Sequence, residues 1–478
     1  MRIGFVNAPR ADGWYIGAED CCVSLGTARL LPARLLACAS EAKRAGHDVL
    51  YCDASLIRGD LPACDALVYP IMWQSHKSIH KQVVARAGGA RLLPLAIPPG
   101  YAHHYARLDP PPAAVIYSEA EAVIPTLPQS ARDFDAWRES APGAVWLDGD
   151  TLRDGGQLPN CMAELGSVDY SLVPQSYWKF YPQAAYQVTR GCYHACTFCM
   201  WGASTVTDRA FKMRSPDITA ADVQSLREHA GKAIHLYLLC AQLTPNLAWL
   251  RRFCELMERD PYPFDTNVNL LEVTDEKIDL LKRAGMIRAV SGLEAVTDKT
   301  LAIMHKGHNV EQAINGIEVL ERSGMNYRLH LRCGYGESRE DALEAVAALE
   351  RVVSVMKPRS QLDLGPIVYY EGTEIRDCCK YELIPHPDYV EYCPIQADTP
   401  WDVWMKFASE MARRGLLYKR GLKGIPKQHM PLYYEFVGEW RDGTTSRVLR
   451  RSISKAAVTG SGAVEQRAPR RRPASRRR

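Results

Sequence analysis

The chain has 478 residues, with 59 lysines and arginines against 55 aspartates and glutamates, a formal net charge of +4. This length predicts two or three domains, each with its own hydrophobic core. No apolar run reaches the roughly 18 residues that a membrane-spanning helix needs, and the first residues lack a signal-peptide pattern, so a soluble cytoplasmic protein is expected. In that setting the 15 cysteines are expected to be reduced thiols and metal ligands, which excludes a disulfide framework.

The first part of the chain alternates strand-like and helix-like segments. Apolar strand-like runs lie at residues 2–9, 47–55, 64–72, 90–100 and 113–118. Apolar residues at three- and four-residue spacing predict a helix over residues 28–46, ended by Gly46. Strands that alternate with helices indicate a parallel, Rossmann-like sheet, here over residues 1–135.

The rest of the chain is predicted to hold a second α/β domain. Residues 136–182 are typical of a linker of turns and short hairpins. Six further strands, counting the one before a cysteine-rich loop, predict a partial (β/α)6 barrel over residues 183–385, open at one side. Ligands of such barrels bind at the carboxyl ends of the strands. A helical appendage is predicted over residues 386–440.

The overall charge conceals an uneven distribution. Residues 441–478 carry twelve Lys and Arg against two acidic residues, so the remainder of the chain is acidic. The last stretch is rich in Gly, Pro, Ser and Arg and predicts a disordered basic tail. Such a tail either contacts nucleic acid or an acidic partner, or is a solvated end without a specific role. The second interpretation is preferred.

Three cysteines stand close together in the loop that follows the first barrel strand. Cys192, Cys196 and Cys199 form a Cys-x3-Cys-x2-Cys triplet. A structural zinc site uses four ligands, so zinc would need a distant fourth ligand here. Three thiolates on one short loop instead favour a 4Fe–4S cluster with one iron open to a substrate or cofactor.

The triplet resembles the signature of the radical S-adenosylmethionine (SAM) superfamily, including the aromatic Phe198 before the last cysteine. The resemblance implies that the open iron binds the amino and carboxylate groups of SAM, and that an electron from the cluster releases a 5′-deoxyadenosyl radical. It also implies an external electron donor of the flavodoxin or ferredoxin type.

The order of the segments resembles the cobalamin (B12)-binding-domain subfamily of radical SAM enzymes, in which a Rossmann-like domain precedes the barrel. The resemblance spans roughly residues 1–385. It is carried by residues 31–55, 113–127, 189–199, 288–308, 331–344 and 365–375. It implies cobalamin as a third cofactor, although the first domain lacks an Asp-x-His-x-x-Gly run and could be a relic without cofactor. Trp73, after the third strand, is a candidate contact to the corrin or a core residue.

Position in the barrel suggests the remaining site residues. Glu294, at a strand end, resembles the polar residue that hydrogen-bonds SAM, and Ser291 could assist it. Arg332, in the next strand, could meet the SAM carboxylate or form an ordinary structural ion pair. The resemblance also assigns the turn with Gly334 and Gly336 to close backbone approach to the adenine.

The segment after the second barrel strand departs from the family pattern, because it lacks acidic residues. Gln242 or Thr244 could replace the missing polar contacts to SAM. Cys240 in the same segment is either a small buried hydrophobe or a thiol near the substrate.

The leading functional hypothesis is a cobalamin-dependent radical SAM methyltransferase that acts on an unactivated carbon, or a phosphinate, of a small-molecule or natural-product precursor. One alternative is a radical SAM cyclase or rearrangement enzyme without methyl transfer. Another, from a different class, is an iron–sulfur nucleic-acid-binding protein that uses the basic tail. The expected partner is a small-molecule or peptide substrate, with no membrane and with nucleic acid least favoured.

Overall fold

The computed structural model describes the chain over several ranges. These are residues 1–8, 30–72, 76–97, 99–201, 210–232, 234–357, 360–367, 369–377, 383–384, 395–396 and 399–417. All of them belong to one compact unit, Met1–Pro426. The basic tail predicted over residues 441–478, much of the predicted appendage and Trp73 lie outside the described residues.

The first domain alternates strands and helices as the sequence predicts. Its strands are β1 Arg2–Asn7, β2 Leu30–Leu31, β3 Asp48–Asp53, β4 Ala66–Met72, β5 Arg91–Ile97, β6 Val115–Ile116, β7 Ala144–Asp148 and β8 Thr151–Asp154. Its α-helices are α1 Ala33–Arg44, α2 His76–Val84, α3 Ala102–Tyr105, α4 Ala120–Val123 and α5 Phe134–Arg138. Short 3-10 turns cover Pro99–Tyr101, Ile124–Thr126, Ala131–Asp133, Tyr170–Leu172 and Gln175–Phe180.

Seven of these strands form one twisted sheet in the order β3-β1-β4-β5-β6-β7-β8. The pairs from β3 to β6 are all parallel. This is the flavodoxin-like order, whose ligand crevice lies at the carboxyl ends of the strands where the order reverses, here β1 and β4. The strands are apolar on both faces, and Val6, Leu67, Tyr69, Ile71 and Ala96 are buried in the core. The expected Rossmann-like sheet is therefore confirmed.

Two features go beyond the prediction or differ from it. The segment expected to be a linker of turns and short hairpins, residues 136–182, contains the hairpin β7–β8, which also extends the first sheet as antiparallel strands. The start of the helix expected over residues 28–46 is strand β2, which pairs with the barrel strand Gln183–Gln187. The sequence gives no sign of that pairing, because the two partners are about 150 residues apart.

The second domain continues the alternation. Its strands are β9 Gln183–Gln187, β10 Thr189–Arg190, β11 Lys212–Met213, β12 His235–Leu239, β13 Phe264–Asn267, β14 Met286–Glu294, β15 Asn326–Cys333, β16 Gln361–Pro366, β17 Leu383–Ile384 and β18 Ile395–Gln396. Its helices are α6 Pro216–Ala230, α7 Leu247–Glu258, α8 Asp275–Arg283, α9 Asp298–Ile303, α10 Val310–Arg322, α11 Arg339–Val355, α12 Glu374–Asp377 and α13 Trp401–Arg413.

The second sheet has the order β16-β15-β14-β13-β12-β9-β2. Neighbouring strands in this order are parallel, so the six expected barrel strands are present, with β2 added at one edge. Three helices begin after a polar side chain that caps them. The side chains of Asn246, Thr274 and Asn309 accept hydrogen bonds from backbone N–H groups in the first turns of α7, α8 and α10. The arrangement is an open partial barrel whose strand carboxyl ends face one side.

Helix α13 is the last helix of the described chain, and it packs beside α11. The Glu337 carboxylate accepts the Trp404 indole N–H at 2.8 Å and the Gly334 and Tyr335 backbone N–H groups at 2.8 and 2.7 Å. On the surface Arg339 forms a bidentate pair with Asp402. Among the described helices, none is both long and apolar enough to cross a membrane.

Candidate functional site

A cavity opens at the carboxyl ends of the barrel strands and contains the three clustered cysteines. It is lined by Cys192, His194, Cys196, Phe198, Cys199, Trp201, Cys240, Ala241, Gln242, Asn267, Val268, Asn269, Val290, Ser291, Gly292, Glu294, Lys306, His330 and Arg332. The predicted residues Gln242, Ser291, Glu294 and Arg332, from three different strand ends, thus meet the cysteine loop in one place. The loop and the strand ends are therefore the candidate active site.

The cysteine loop is held by backbone hydrogen bonds from the barrel. The Thr197 N–H donates to the Met304 carbonyl at 3.1 Å, and the Thr197 carbonyl accepts the Ile375 N–H at 3.0 Å. All three cysteines are outside any disulfide and are partly exposed. Burial raises the pKa of the Cys196 thiol, with Lys306 opposing it. Three soft sulfur donors on one fixed loop are a suitable ligand set for an iron–sulfur cluster.

Glu294 adopts a backbone conformation that is unusual for a glutamate. Its φ is 62°, in the left-handed region, and the pairing register of β14 with β15 shifts between Gly292 and Glu294. Such a conformation costs of the order of 1–3 kcal/mol and is typical of functional sites. The irregularity turns the end of β14, so that the buried Glu294 carboxylate lies in the cavity wall.

Two cations flank this carboxylate. Arg332 Nε lies 3.3 Å from Glu294 Oε2, and Lys306 Nζ lies 3.4 Å from Glu294 Oε1. Arg332 also donates to His330 Nδ1 at 3.1 Å. Burial alone would lower the pKa of Lys306, but Glu294 and the thiols of Cys196 and Cys199 raise it above its usual value. Arg332 thus forms the ion pair that one of the two sequence-based interpretations expects, and it lines the cavity; a contact to the SAM carboxylate stays a prediction.

Gln242 presents an unsatisfied donor to the site. Its Oε1 accepts the Asn269 amide N–H at 2.9 Å, and Asn269 Nδ2 also lies 3.0 Å from His194 Nε2. Gln242 is 3% exposed, and within the described chain its Nε2 has no hydrogen-bond partner. A buried amide N–H without a partner is costly, so it suits a contact to a bound group. Thr244, the other candidate in this segment, donates to Glu272 at 3.2 Å.

The other predicted residues have different positions. The Ser291 hydroxyl donates to the Val268 carbonyl at 2.7 Å, so its proton is used within the wall. Cys240 is buried and lines the cavity, and its Sγ lies 3.2 Å from Thr266 Oγ1. Gly334 and Gly336 lie at positive φ in the turn held by Glu337. A Cβ on Gly334 would meet Thr399 at 3.1 Å, so this turn packs against the appendage and does not line the cavity.

Several cavity residues were not singled out from the sequence, namely His194, Asn269, Lys306 and His330. Both histidines have a lowered pKa: burial is the main cause for each, assisted by Lys306 for His194 and by Arg332 for His330. They are therefore neutral near pH 7. The sequence could have indicated His194, because it lies between two of the clustered cysteines. Lys306 follows a short helix after Glu294 and belongs to no motif.

Comparison with known proteins agrees with this geometry. Residues 186–349 match the family model of the radical SAM superfamily. No curated protein sequence matches the chain.

Two solved structures share nearly the whole architecture. One is the cobalamin-dependent S-adenosylmethionine radical enzyme OxsB, solved with aqua-cobalamin and S-adenosylmethionine bound. Its sequence is 13% identical and the TM-score is 0.63; the match covers 95% of this chain and 75% of OxsB. The other is the radical S-adenosylmethionine methyltransferase TsrM from Kitasatospora setae, with tryptophan substrate and a SAM analogue bound; it is 13% identical, with a TM-score of 0.65 over 95% of this chain and 99% of that one.

Identity this low establishes the fold alone, whereas the family match covers the segment that holds the three cysteines and all of the residues that line the cavity. Residues 186–349 thus match the radical SAM superfamily, and the chain shares its fold with the cobalamin-dependent radical SAM enzyme OxsB and the radical SAM methyltransferase TsrM.

Proposed function

We propose that this protein is a cobalamin-dependent radical SAM methyltransferase that acts on an unactivated carbon, or a phosphinate, of a small-molecule or natural-product precursor. The observation that carries the proposal is the single cavity in which the three cysteine thiols face Gln242, Glu294 and Arg332. A Rossmann-like domain of flavodoxin-like strand order stands beside it in the same compact unit.

The residues of the cavity fit an iron–sulfur cluster and SAM. Cys192, Cys196 and Cys199 would hold a 4Fe–4S cluster, with one iron left for SAM. When bound, the cluster and SAM supply a 5′-deoxyadenosyl radical and cobalamin supplies a transferable methyl group. The chain itself binds, orients and shields these groups, while the cofactors carry the chemistry.

The charged cavity residues match the polar end of SAM. Arg332 and Lys306 offer two cations to its carboxylate, and Glu294 offers an acceptor to its amino group. The free Nε2 donor of Gln242 lies in the same wall and would gain a partner on binding. The neutral imidazoles of His194 and His330 add no positive charge, so Arg332 and Lys306 remain the cations that define the polarity of the site.

The cobalamin assignment rests on the first domain. Its crevice is expected at the carboxyl ends of β1 and β4. The chain beyond both ends, including Trp73, lies outside the described residues. Support therefore comes from the strand order and from the shared architecture of OxsB, solved with aqua-cobalamin, and TsrM, solved with cobalamin and a [4Fe–4S] cluster.

A radical SAM reaction without methyl transfer is the second candidate. The fold matches OxsB, described only as a radical enzyme, almost as well as it matches the methyltransferase TsrM. The architecture therefore supports both outcomes, and the products of SAM decide between them.

The test is an anaerobic purification with cluster reconstitution, followed by incubation with SAM and a reductant such as reduced flavodoxin. Methyl transfer predicts both 5′-deoxyadenosine and S-adenosylhomocysteine, the second only when a corrinoid is added. The Cys196→Ser variant is the control and should form neither product. Formation of 5′-deoxyadenosine alone, with or without corrinoid, would refute methyl transfer and support the alternative.

A further inference from the structure

A second cluster of ligand-type side chains lies outside the candidate active site, between the two domains. His103 and His104 belong to α3 of the first domain, and Glu371 follows β16 of the barrel. His103 Nε2 lies 3.3 Å from Glu371 Oε1, and His104 Nε2 lies 2.9 Å from Glu371 Oε2. One ligand atom from each of the three residues lies within 4.8 Å of the other two.

The two histidine–carboxylate distances are close to those between ligand atoms around one metal ion. With metal–nitrogen distances of about 2.0–2.1 Å and metal–oxygen distances of about 2.0–2.2 Å, the edges of a tetrahedron are about 3.3–3.5 Å. The His103 contact already has that length. The His104 contact has the length of a hydrogen bond, so a small rotation of the His104 ring would open it to that edge.

We propose that His103, His104 and Glu371 form a site for a divalent late first-row metal ion, with Zn²⁺ as the fitting class, which joins the Rossmann-like domain to the barrel. Two imidazoles and one carboxylate are a common ligand set for such ions and leave a position for water. The three side chains are 27–42% exposed, so an ion and its water can reach the site from solvent.

The surroundings hold the ligands in place. The Glu371 backbone N–H donates to the Tyr101 hydroxyl at 3.1 Å, and Tyr101 is completely buried. Tyr101 and Tyr105 pack in one hydrophobic cluster with Tyr370, which precedes Glu371.

A metal at this position would act on the cysteine loop through a short path. Glu371 is four residues from Ile375, whose N–H donates to the Thr197 carbonyl between Cys196 and Cys199. An ion that fixes Glu371 to α3 would thus fix the barrel segment supporting the loop relative to the first domain.

The chain supplies a matched control. His305 Nδ1 lies 3.8 Å from Glu374 Oε2, on the same segment, but has one histidine in place of two. This pair offers similar chemistry without a complete ligand set.

The experiment measures metal binding directly, so its outcome does not depend on the proposed methyl transfer. Full-length protein with its iron–sulfur cluster reconstituted and no corrinoid added is dialysed against buffered Zn²⁺, and against Co²⁺ as a spectroscopic probe. Wild type should retain one equivalent beyond the cluster iron. The His104→Asn and Glu371→Gln variants should bind it at least tenfold more weakly, and His305→Asn should bind it as wild type does.

A second measurement keeps the test valid if a variant folds poorly. Added Zn²⁺ should raise the thermal midpoint of wild type and of His305→Asn, because a ligand that binds only the folded state stabilises it. It should not raise that of Glu371→Gln. Absence of the extra equivalent in wild type, or its equal loss in His305→Asn, would overturn the proposal and leave the cluster as a hydrogen-bonded contact between domains.

Discussion

Arg190, two residues before the first cluster cysteine, is the centre of a buried ionic network between the two domains. Its guanidinium donates to Glu119 Oε2 at 2.6 Å, to Glu121 Oε1 at 2.7 Å and to Gln187 Oε1 at 2.8 Å. Arg190 and both glutamates are almost completely buried. Replacing Arg190 by methionine keeps the apolar volume of the side chain and removes the charge, which leaves two carboxylates without their shared partner.

The size of the effect follows from this burial. Removing one partner of a buried ion pair typically costs about 3–5 kcal/mol, because the remaining charge is buried and uncompensated. Arg34 Nε lies 3.7 Å from Glu121 and offers only partial compensation. We therefore expect Arg190→Met to lower the free energy of unfolding by about 3–5 kcal/mol at pH 7.

The pH dependence provides a second test with a defined sign. Burial alone would raise the pKa of Glu121, but Arg190 and then Arg34 lower it from 4.5 to about 2. A carboxyl group with a lowered pKa in the folded state stabilises the protein above its unfolded pKa, and that contribution is lost as the pH falls from 4.5 towards 2. Without Arg190 the buried carboxyl group is favoured in its protonated form. The free energy of unfolding that Arg190→Met loses relative to wild type should therefore be smaller at pH 4.5 than at pH 7.

Urea denaturation of the apo-protein, followed by tryptophan fluorescence, measures both effects. The triple variant Arg190→Met, Glu119→Gln, Glu121→Gln is the matched control and should recover most of the loss, since it removes the uncompensated charges. Arg252→Met, which breaks an exposed pair with Asp217, should leave the unfolding midpoint unchanged. An Arg190→Met loss below about 1 kcal/mol, or a deficit that grows on acidification, would refute the reasoning.

Three further predictions concern the site and its support. Cys196→Ser should reduce the iron content after reconstitution from about four to below one per chain, measured by iron analysis. Glu294→Gln should retain that iron but bind SAM about tenfold more weakly in equilibrium dialysis, because a charged hydrogen-bond acceptor is lost; unchanged affinity would exclude Glu294 from the SAM site. Glu337→Gln should lower the free energy of unfolding by about 1.5–3 kcal/mol in urea denaturation, since its amide cannot accept all three N–H groups from Gly334, Tyr335 and Trp404. A loss equal to that of a surface substitution would contradict this role.

The regular elements were predictable because local patterns determine them. Buried parallel strands appear as continuous apolar runs, such as residues 66–72 and 91–97, and turns with glycine or polar caps separate them from helices. The cysteine spacing predicted the position of the site, and strand ends predicted Gln242, Glu294 and Arg332 as neighbours. In each case, the carboxyl ends of parallel strands must meet at one edge of the sheet.

The remaining features depend on contacts between distant parts of the chain. Lys306 is a largely covered lysine, which composition alone argues against; the pairing with Glu294 and the nearby thiols of Cys196 and Cys199 favour its charged form. The two-residue strand β2 has too few residues for a periodic pattern, and its partner β9 lies about 150 residues later. The turn at Gly334 and Gly336 was expected beside the adenine, but it is held by Glu337, which also accepts the indole N–H of Trp404, 67 residues after Glu337.

The cysteine loop is anchored in the first domain at both of its ends. Before it, Arg190 bonds to Glu119 and Glu121. After it, Met200 and Trp201 pack with the core residues of the first sheet. A loop fixed in this way cannot change its position without disturbing the neighbouring domain. The barrel therefore provides the cavity wall, while contacts with the first domain hold both ends of the loop that carries the three thiols.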